Sequence, residues 1–142
     1  MISLSYETHN DMTDGEYQLR YAVFVIEQKM PYEEEFENDE DNFFHCHIYD
    51  GKRLLACARL GQVADGMIRI GRIAVRKDLR GNGLGKKIVE YAEHVSREKG
   101  YNKFFLIAQA YAKGFYEKMG YITEGDEFME AGIPHIKMIK IL

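Results

Sequence analysis

Six consecutive residues, Arg80-Gly81-Asn82-Gly83-Leu84-Gly85, limit what this chain can fold into more than any others. Before them runs an extended apolar stretch, Met67 to Val75. After them Leu84, Ile88, Tyr91, Ala92 and Val95 recur with helical period. A strand, a glycine-rich turn and a helix in that order build an anion site. Glycine at 81, 83 and 85 lets the main chain approach a ligand with no Cβ in the way. The amides of Asn82 and Leu84 join those of the glycines, and the helix start adds the positive end of its dipole. Arg80, Lys86 and Lys87 add full positive charge in a chain of formal net charge −4. The segment therefore predicts a phosphate or diphosphate cradle. A P-loop does not fit its spacing. A dinucleotide fingerprint fails too, because its third glycine would fall on Lys86 or Ile88.

The flanking pattern sets the fold class. Ile2 to Tyr6 alternates and predicts a first strand. Thr13-Asp14-Gly15-Glu16 reads as a capping box, with Tyr17, Tyr21, Phe24 and Val25 as one helical face behind it and Pro31 as a stop. Residues 33 to 41 are an acidic loop. Strands follow at Phe43–Tyr49, Leu54–Leu60 and Met67–Val75, joined at Asp50-Gly51 and Asp65-Gly66, which makes an antiparallel meander. Beyond the cradle helix, Gly100 suits a C-terminal cap, and Phe104 to Ala108 is a continuous apolar strand buried on both faces. That strand–helix–strand unit implies a right-handed parallel crossover. Ala112, Phe115, Tyr116 and Met119 start a short helix closed by Gly120, and Tyr121–Thr123 and Ile133–Ile141 are the last strands. The expected class is α/β (a mixed, α+β-like sheet), in a single domain over residues 1–142.

Composition narrows the function. Net acidity argues against a nucleic-acid partner. No apolar run reaches membrane-spanning length, and no leader pattern opens the chain, so the expected address is cytoplasmic. Cys46 and Cys57 are expected to stay reduced. His45-Cys46-His47 puts two histidines on one strand face, too few for zinc, so no metal is expected.

Two motifs then carry a resemblance. Arg80-x-x-Gly83-x-Gly85 resembles the cofactor motif of the GNAT superfamily of N-acetyltransferases, and Gln109-Ala110-Tyr111-Ala112-Lys113-Gly114-Phe115-Tyr116-Glu117-Lys118-Met119-Gly120-Tyr121 resembles its second motif, with Gln109 where the family has Asn. Arg20 to Gln28 and Gly132 to Met138 resemble the ElaA-like group. The resemblance implies two parallel strands, Met67–Val75 and Phe104–Ala108, that splay apart. It places the pantetheine arm of acetyl-CoA against Ile73, Ala74 and Val75. The diphosphate falls on Arg80, Gly81, Asn82, Gly83, Leu84, Gly85 and Lys86, with Gln109 and Phe115 beside the cofactor. It makes Tyr116 the proton donor to the departing thiolate, and a main-chain amide near Ile73 or Ala74 the group that polarises the thioester carbonyl. The strand before the cradle carries Arg69 and Arg72 and no acid, so deprotonation comes from elsewhere or through water, and the ElaA-like resemblance offers Glu27 and His135 as candidate bases.

The expected activity is therefore acetyl transfer from acetyl-CoA to a primary amine, on a small molecule or a peptide, by direct attack in a ternary complex. Cys57 has no activating neighbour in sequence for a ping-pong route. The acidic stretch 33–41 is expected to be solvated or to rim the acceptor cleft. The alternatives are a non-catalytic acyl-CoA-binding or sensing module and a generic phosphate-ligand protein. No membrane partner is expected, and a homodimer is left open.

Overall fold

A computed structural model describes residues 3–36 and 42–142. Ile2 of the expected first strand and residues 37–41 of the acidic stretch lie outside them. The elements in chain order are β1 (Leu4–His9), α1 (Asp14–Arg20) running into a π-helical turn (Tyr21–Glu27), α2 (Tyr32–Glu35), β2 (Phe44–Asp50), β3 (Arg53–Ala64), β4 (Met67–Val75), α3 (Leu84–Glu98), β5 (Lys103–Gln109), α4 (Lys113–Glu117), β6 (Ile122–Glu130) and β7 (Ile133–Ile141). The strands form one seven-stranded sheet in the order β1-β2-β3-β4-β5-β7-β6. Among the described residues only β4 and β5 pair in parallel; the other neighbours are antiparallel. The mixed α/β architecture is the one expected.

Hairpin chemistry fixes the meander. Gly51 (φ 60°) and Gly66 (φ 76°) take the left-handed backbone that the two tight turns require. α3 buries Leu84, Ile88, Val89, Ala92 and Val95 against Ile68, Ile70, Phe104 and Leu106 of the sheet. Each of these side chains larger than alanine contributes roughly 1.5–3 kcal/mol on full burial. A smaller cluster lies under α1, where Leu19, Val23 and Phe24 meet Leu54, Cys57 and Ala74.

Two local features shape the site. The first is the splay. β4 and β5 pair only at Ile68 with Phe104 and Arg69 with Phe105. Beyond that point the strands run on to Val75 and Gln109 without pairing. The second is a bulge in β4. Cys57 faces Ala74 and Arg59 faces Gly71, so β4 holds one residue more than β3 over this span. Arg72 within it has φ 49°.

Four expectations change. The buried face of α1 is Glu16, Leu19, Arg20, Val23 and Phe24, while Tyr21 is exposed. These five keep the i, i+3, i+4, i+7, i+8 spacing of an α-helical face, but Glu16 and Arg20 on it are charged, so an apolar count settles on the tyrosines beside them; the π turn, in which the Gln28 amide donates to the Val23 carbonyl at 3.0 Å, closes the segment. Thr13 does cap α1, accepting from the Glu16 amide at 3.2 Å, but the Glu16 carboxylate turns inward instead of completing the box. Glu35 is fully buried rather than part of a solvated loop. The penultimate strand runs to Glu130, well past Thr123; its residues are all exposed, so no apolar alternation marked its length.

Candidate active site

The predicted cradle sits beyond the C-terminal end of β4, with residues 80–83 exposed. Gly81 (φ 85°) and Gly83 (φ 81°) adopt the left-handed region, where a Cβ is penalised. Gly83 is the N-cap of α3 and offers no side chain to its first amides. The Lys87 amide is the first to find a helical acceptor, the Gly83 carbonyl at 3.1 Å. The amides of Leu84, Gly85 and Lys86 precede it, and a helix start leaves such groups for a ligand. Asn82 holds the turn through Nδ2, which donates to the Leu79 carbonyl at 2.9 Å. A Cβ at Gly85 would come within 3.4 Å of Phe115 Cζ, so the ring lies over the cradle. These residues fit a diphosphate.

Arg80 does something else with its side chain. Nε and Nη2 donate to the Val75 carbonyl at 3.2 Å, and the guanidinium grips both carboxylate oxygens of Glu27, at 2.5 and 2.8 Å. The hydrogen bond to Arg80 holds Glu27 below the usual carboxylate range. Glu27 is not among the residues that line the cavity, and both its oxygens accept from Arg80.

The splay opens into a cavity of about 440 Å³. Its walls include Ile73 of the β4 bulge, Ala108 and Gln109 of β5, Tyr116 of α4, His135 of β7 and Gln28 after the π turn. Ala74 faces away, into the cluster beneath α1. Gln109 donates through Nε2 to Gln28 Oε1 at 3.0 Å.

Tyr116 packs edge-on against Phe115 and Tyr121, with ring centroids 5.0 and 6.0 Å away. Burial pushes its phenol up to about 12. His135 is buried, and its Nδ1 lies 2.7 Å from the Ile133 carbonyl. A carbonyl only accepts, so Nδ1 carries the proton and the neutral ring keeps its lone pair on Nε2. Glu130 Oε2 lies 3.9 Å from that nitrogen. The structure thus brings Tyr116 and His135 to one cavity.

Behind the bulge runs a buried polar chain that local sequence patterns did not reveal. His47 Nε2 and His45 Nδ1 donate to the two oxygens of Glu16 at 2.6 and 2.8 Å. Arg20 Nη1 donates to Glu16 at 2.9 Å, and its Nε donates to Glu35 at 2.7 Å. Arg72 Nε lies 3.0 Å from the other Glu35 oxygen. The histidines of the zinc alternative thus bind a carboxylate. Among the described residues no group of three or more His, Cys, Asp or Glu is placed to hold a metal. Gly71 was the one sequence signal for the bulge, since glycine inside a strand often marks one.

Both cysteines are buried and free. Burial pushes the Cys46 thiol up to about 12 and raises Cys57 well above its ordinary value, so neither is an activated thiolate. Among the described residues no helix is long and apolar enough to cross a membrane.

The family model for the acetyltransferase (GNAT) domain matches residues 9–142, and the chain belongs to that family. It is 38% identical over 123 residues to YjcF of Bacillus subtilis, an uncharacterized N-acetyltransferase, covering 86% of this chain and 87% of the relative. It superposes on an acyl-CoA N-acyltransferase from Pseudomonas aeruginosa with a TM-score of 0.84 at 30% identity, covering 99% of each chain. Escherichia coli ElaA gives a TM-score of 0.83 at 28% identity, over 98% of this chain and 99% of that one. The ElaA-like resemblance of the sequence agrees with that match.

Proposed function

We propose that this chain transfers an acetyl group from acetyl-CoA to a primary amine by direct attack in a ternary complex. One observation carries the reading: Tyr116 and His135 line the same cavity in the splay between β4 and β5, and β4 runs on into an exposed glycine cradle. The relatives named as N-acetyltransferase and acyl-CoA N-acyltransferase support it. Two buried, unactivated cysteines favour direct attack over an acyl-cysteine route.

Acetyl-CoA supplies a thioester, whose carbonyl gains negative charge as an amine adds. The amides of residues 81–86 bind the diphosphate, and Lys86 adds charge beside it. Main-chain amide at the bulge, near Ile73, stabilises the developing oxyanion. His135 Nε2 receives the proton that the amine, an ammonium in water with a pKa of about 10, sheds to become a nucleophile, and the second N–H proton, lost as the C–S bond breaks, goes to the departing sulfur, which leaves as the thiol. Tyr116 hydrogen-bonds the departing sulfur. Its phenol stands near 12, about 3.5 units above an ordinary thiol at about 8.5, so complete proton transfer is uphill. A donated hydrogen bond, with the hydroxyl kept protonated, is the role that remains.

The second reading is an acyl-CoA-binding module without turnover. It is favoured by the absence of an acid on β4 and by the amide of Gln109, which is engaged by Gln28. Thiol release from acetyl-CoA across a panel of primary amines tests both: turnover with any amine supports transfer, and binding without release supports the module. A thermal-shift comparison of acetyl-CoA with ATP and NAD tests the ligand, because the true one stabilises most at equal saturation.

A further inference from the structure

The splay presents a mechanical problem. Between Arg69 and Val75, β4 has no ladder to β5, and β5 has none to β4 beyond Phe105. Two strand ends without mutual hydrogen bonds do not set their own separation. A slot that holds an extended ligand arm needs a fixed width, because ordering it on binding weakens affinity.

Two consecutive residues span the opening. Glu27 ends the π turn and binds Arg80, which itself holds the last β4 carbonyl, that of Val75. Gln28 follows and accepts from Gln109, the last residue of β5. One short segment is thus tied to the end of each diverging strand. The segment is itself fixed: the Gln28 amide donates to Val23, the Met30 amide donates to Phe24 at 2.9 Å, and both acceptor residues are buried under α1. The extra residue of the π turn sets the register that delivers two adjacent side chains to two different strands.

We infer that Glu27 and Gln28 are positioning residues that brace the mouth of the splay and fix the width of the slot for the pantetheine arm. The inference rests on the reading of the splay as an acetyl-CoA site. It assigns the Arg80 guanidinium to the brace and leaves the diphosphate to main-chain amides and Lys86. Neither braced residue touches the reacting atoms, so removing one weakens acetyl-CoA binding and spares the transfer step.

The test is isothermal titration of acetyl-CoA into the wild type, Glu27→Gln, Gln28→Ala and, as a control, Glu124→Gln, which breaks a pair with Lys137 on the far strands. Melting temperature and kcat at saturating acetyl-CoA accompany each titration. The expected result is a Kd raised about tenfold by Glu27→Gln and about threefold by Gln28→Ala, with the control at the wild-type value. kcat at saturation stays within about twofold. Should Glu27→Gln lower the melting temperature, Gln28→Ala carries the test, because it removes one neutral bond. Unchanged or tighter binding in both variants overturns the brace; tighter binding would mean a latch that the ligand must open. A collapse of kcat at constant Kd also overturns it and returns Glu27 to the chemistry. A wild type that fails to bind acetyl-CoA removes the functional reading and the brace together, whereas a binding wild type beside equally binding variants removes the brace alone.

Discussion

His135 donates through Nδ1 to the carbonyl of Ile133 at 2.7 Å, and that bond decides where the ring's lone pair lies. The carbonyl cannot donate, so the tautomer is fixed with Nε2 as the basic nitrogen. His135→Ala is expected to lower kcat/KM for the amine about 100-fold at pH 7. The deficit shrinks as the medium approaches pH about 10, where an alkyl amine is neutral without help. The check is the pH profile of kcat/KM for wild type and variant. Profiles that stay parallel across that range remove His135 as the base.

Tyr116→Phe keeps the ring that packs on Phe115 and Tyr121 and deletes only the hydroxyl. We expect kcat to fall about 10- to 100-fold while the acetyl-CoA Kd moves less than about twofold. The phenol is held up to about 12 by burial. Its donating form therefore persists through neutral pH and is lost only as pH rises through that value. The alkaline limb of wild-type kcat should show no ionisation of Tyr116 below about pH 11. Unchanged turnover in the variant, monitored by thiol release, would exclude the hydroxyl from the mechanism.

The glycines of the cradle act through shape, and two substitutions separate their roles. Gly83→Ala puts a Cβ on a residue at φ 81° and costs roughly 1 kcal/mol of stability. Gly85→Ala has no positive φ to contend with, and its Cβ would touch Phe115 at 3.4 Å on the face where a ligand approaches the main chain. The expected reading in a thermal-shift assay is a lower melting temperature for Gly83→Ala without ligand. Gly85→Ala should instead lose part of the upshift on adding acetyl-CoA. A full upshift in Gly85→Ala would mean that Phe115 yields freely and does not shape the site.

The cradle, the meander and the crossover were legible because each is written in local chemistry: glycine spacing, Asp-Gly turns, a helical stripe and a continuous apolar strand. That Tyr116, among ten tyrosines, would line the cavity was suggested only by resemblance, since nothing local distinguishes it. Glu27 looked available as a helix-end acid because its partner lies 53 residues away. Glu16 looked like a cap for the same reason: His45 and His47 meet it from 29 and 31 residues along the chain. The α1 stripe was misread because two of its buried positions, Glu16 and Arg20, are charged and carry no apolar signal. Long-range pairing of charged groups leaves no periodic trace, so the buried polar chain emerged only with the fold.

That buried chain predicts an acid-sensitive fold. Burial pushes the Glu16 carboxyl up, but hydrogen bonds from His45 and His47 and the charges of His45 and Arg20 outweigh it, lowering the group from 4.5 to about 2. A carboxyl depressed in the folded state contributes stability that is present above its unfolded value and lost as pH falls through its folded one. The window here runs from about pH 4.5 down to about 2, and the contribution is on the order of 3 kcal/mol. Glu35, on the other side of Arg20, moves the opposite way: burial raises it above its ordinary value despite Arg20 and Arg72. Its ionised form is therefore a burden that eases on acidification and partly masks the loss at Glu16. Comparison with Glu16→Gln isolates the Glu16 part. The variant is expected to lose about 3 kcal/mol at pH 7, because it leaves Arg20 with one carboxylate and two histidines without their acceptor charge. Urea unfolding of both proteins between pH 7 and the acid limit is the measurement. The stability difference should narrow steadily through the acid window, and a difference that stays constant would mean that Glu16 is not ionised in the native protein.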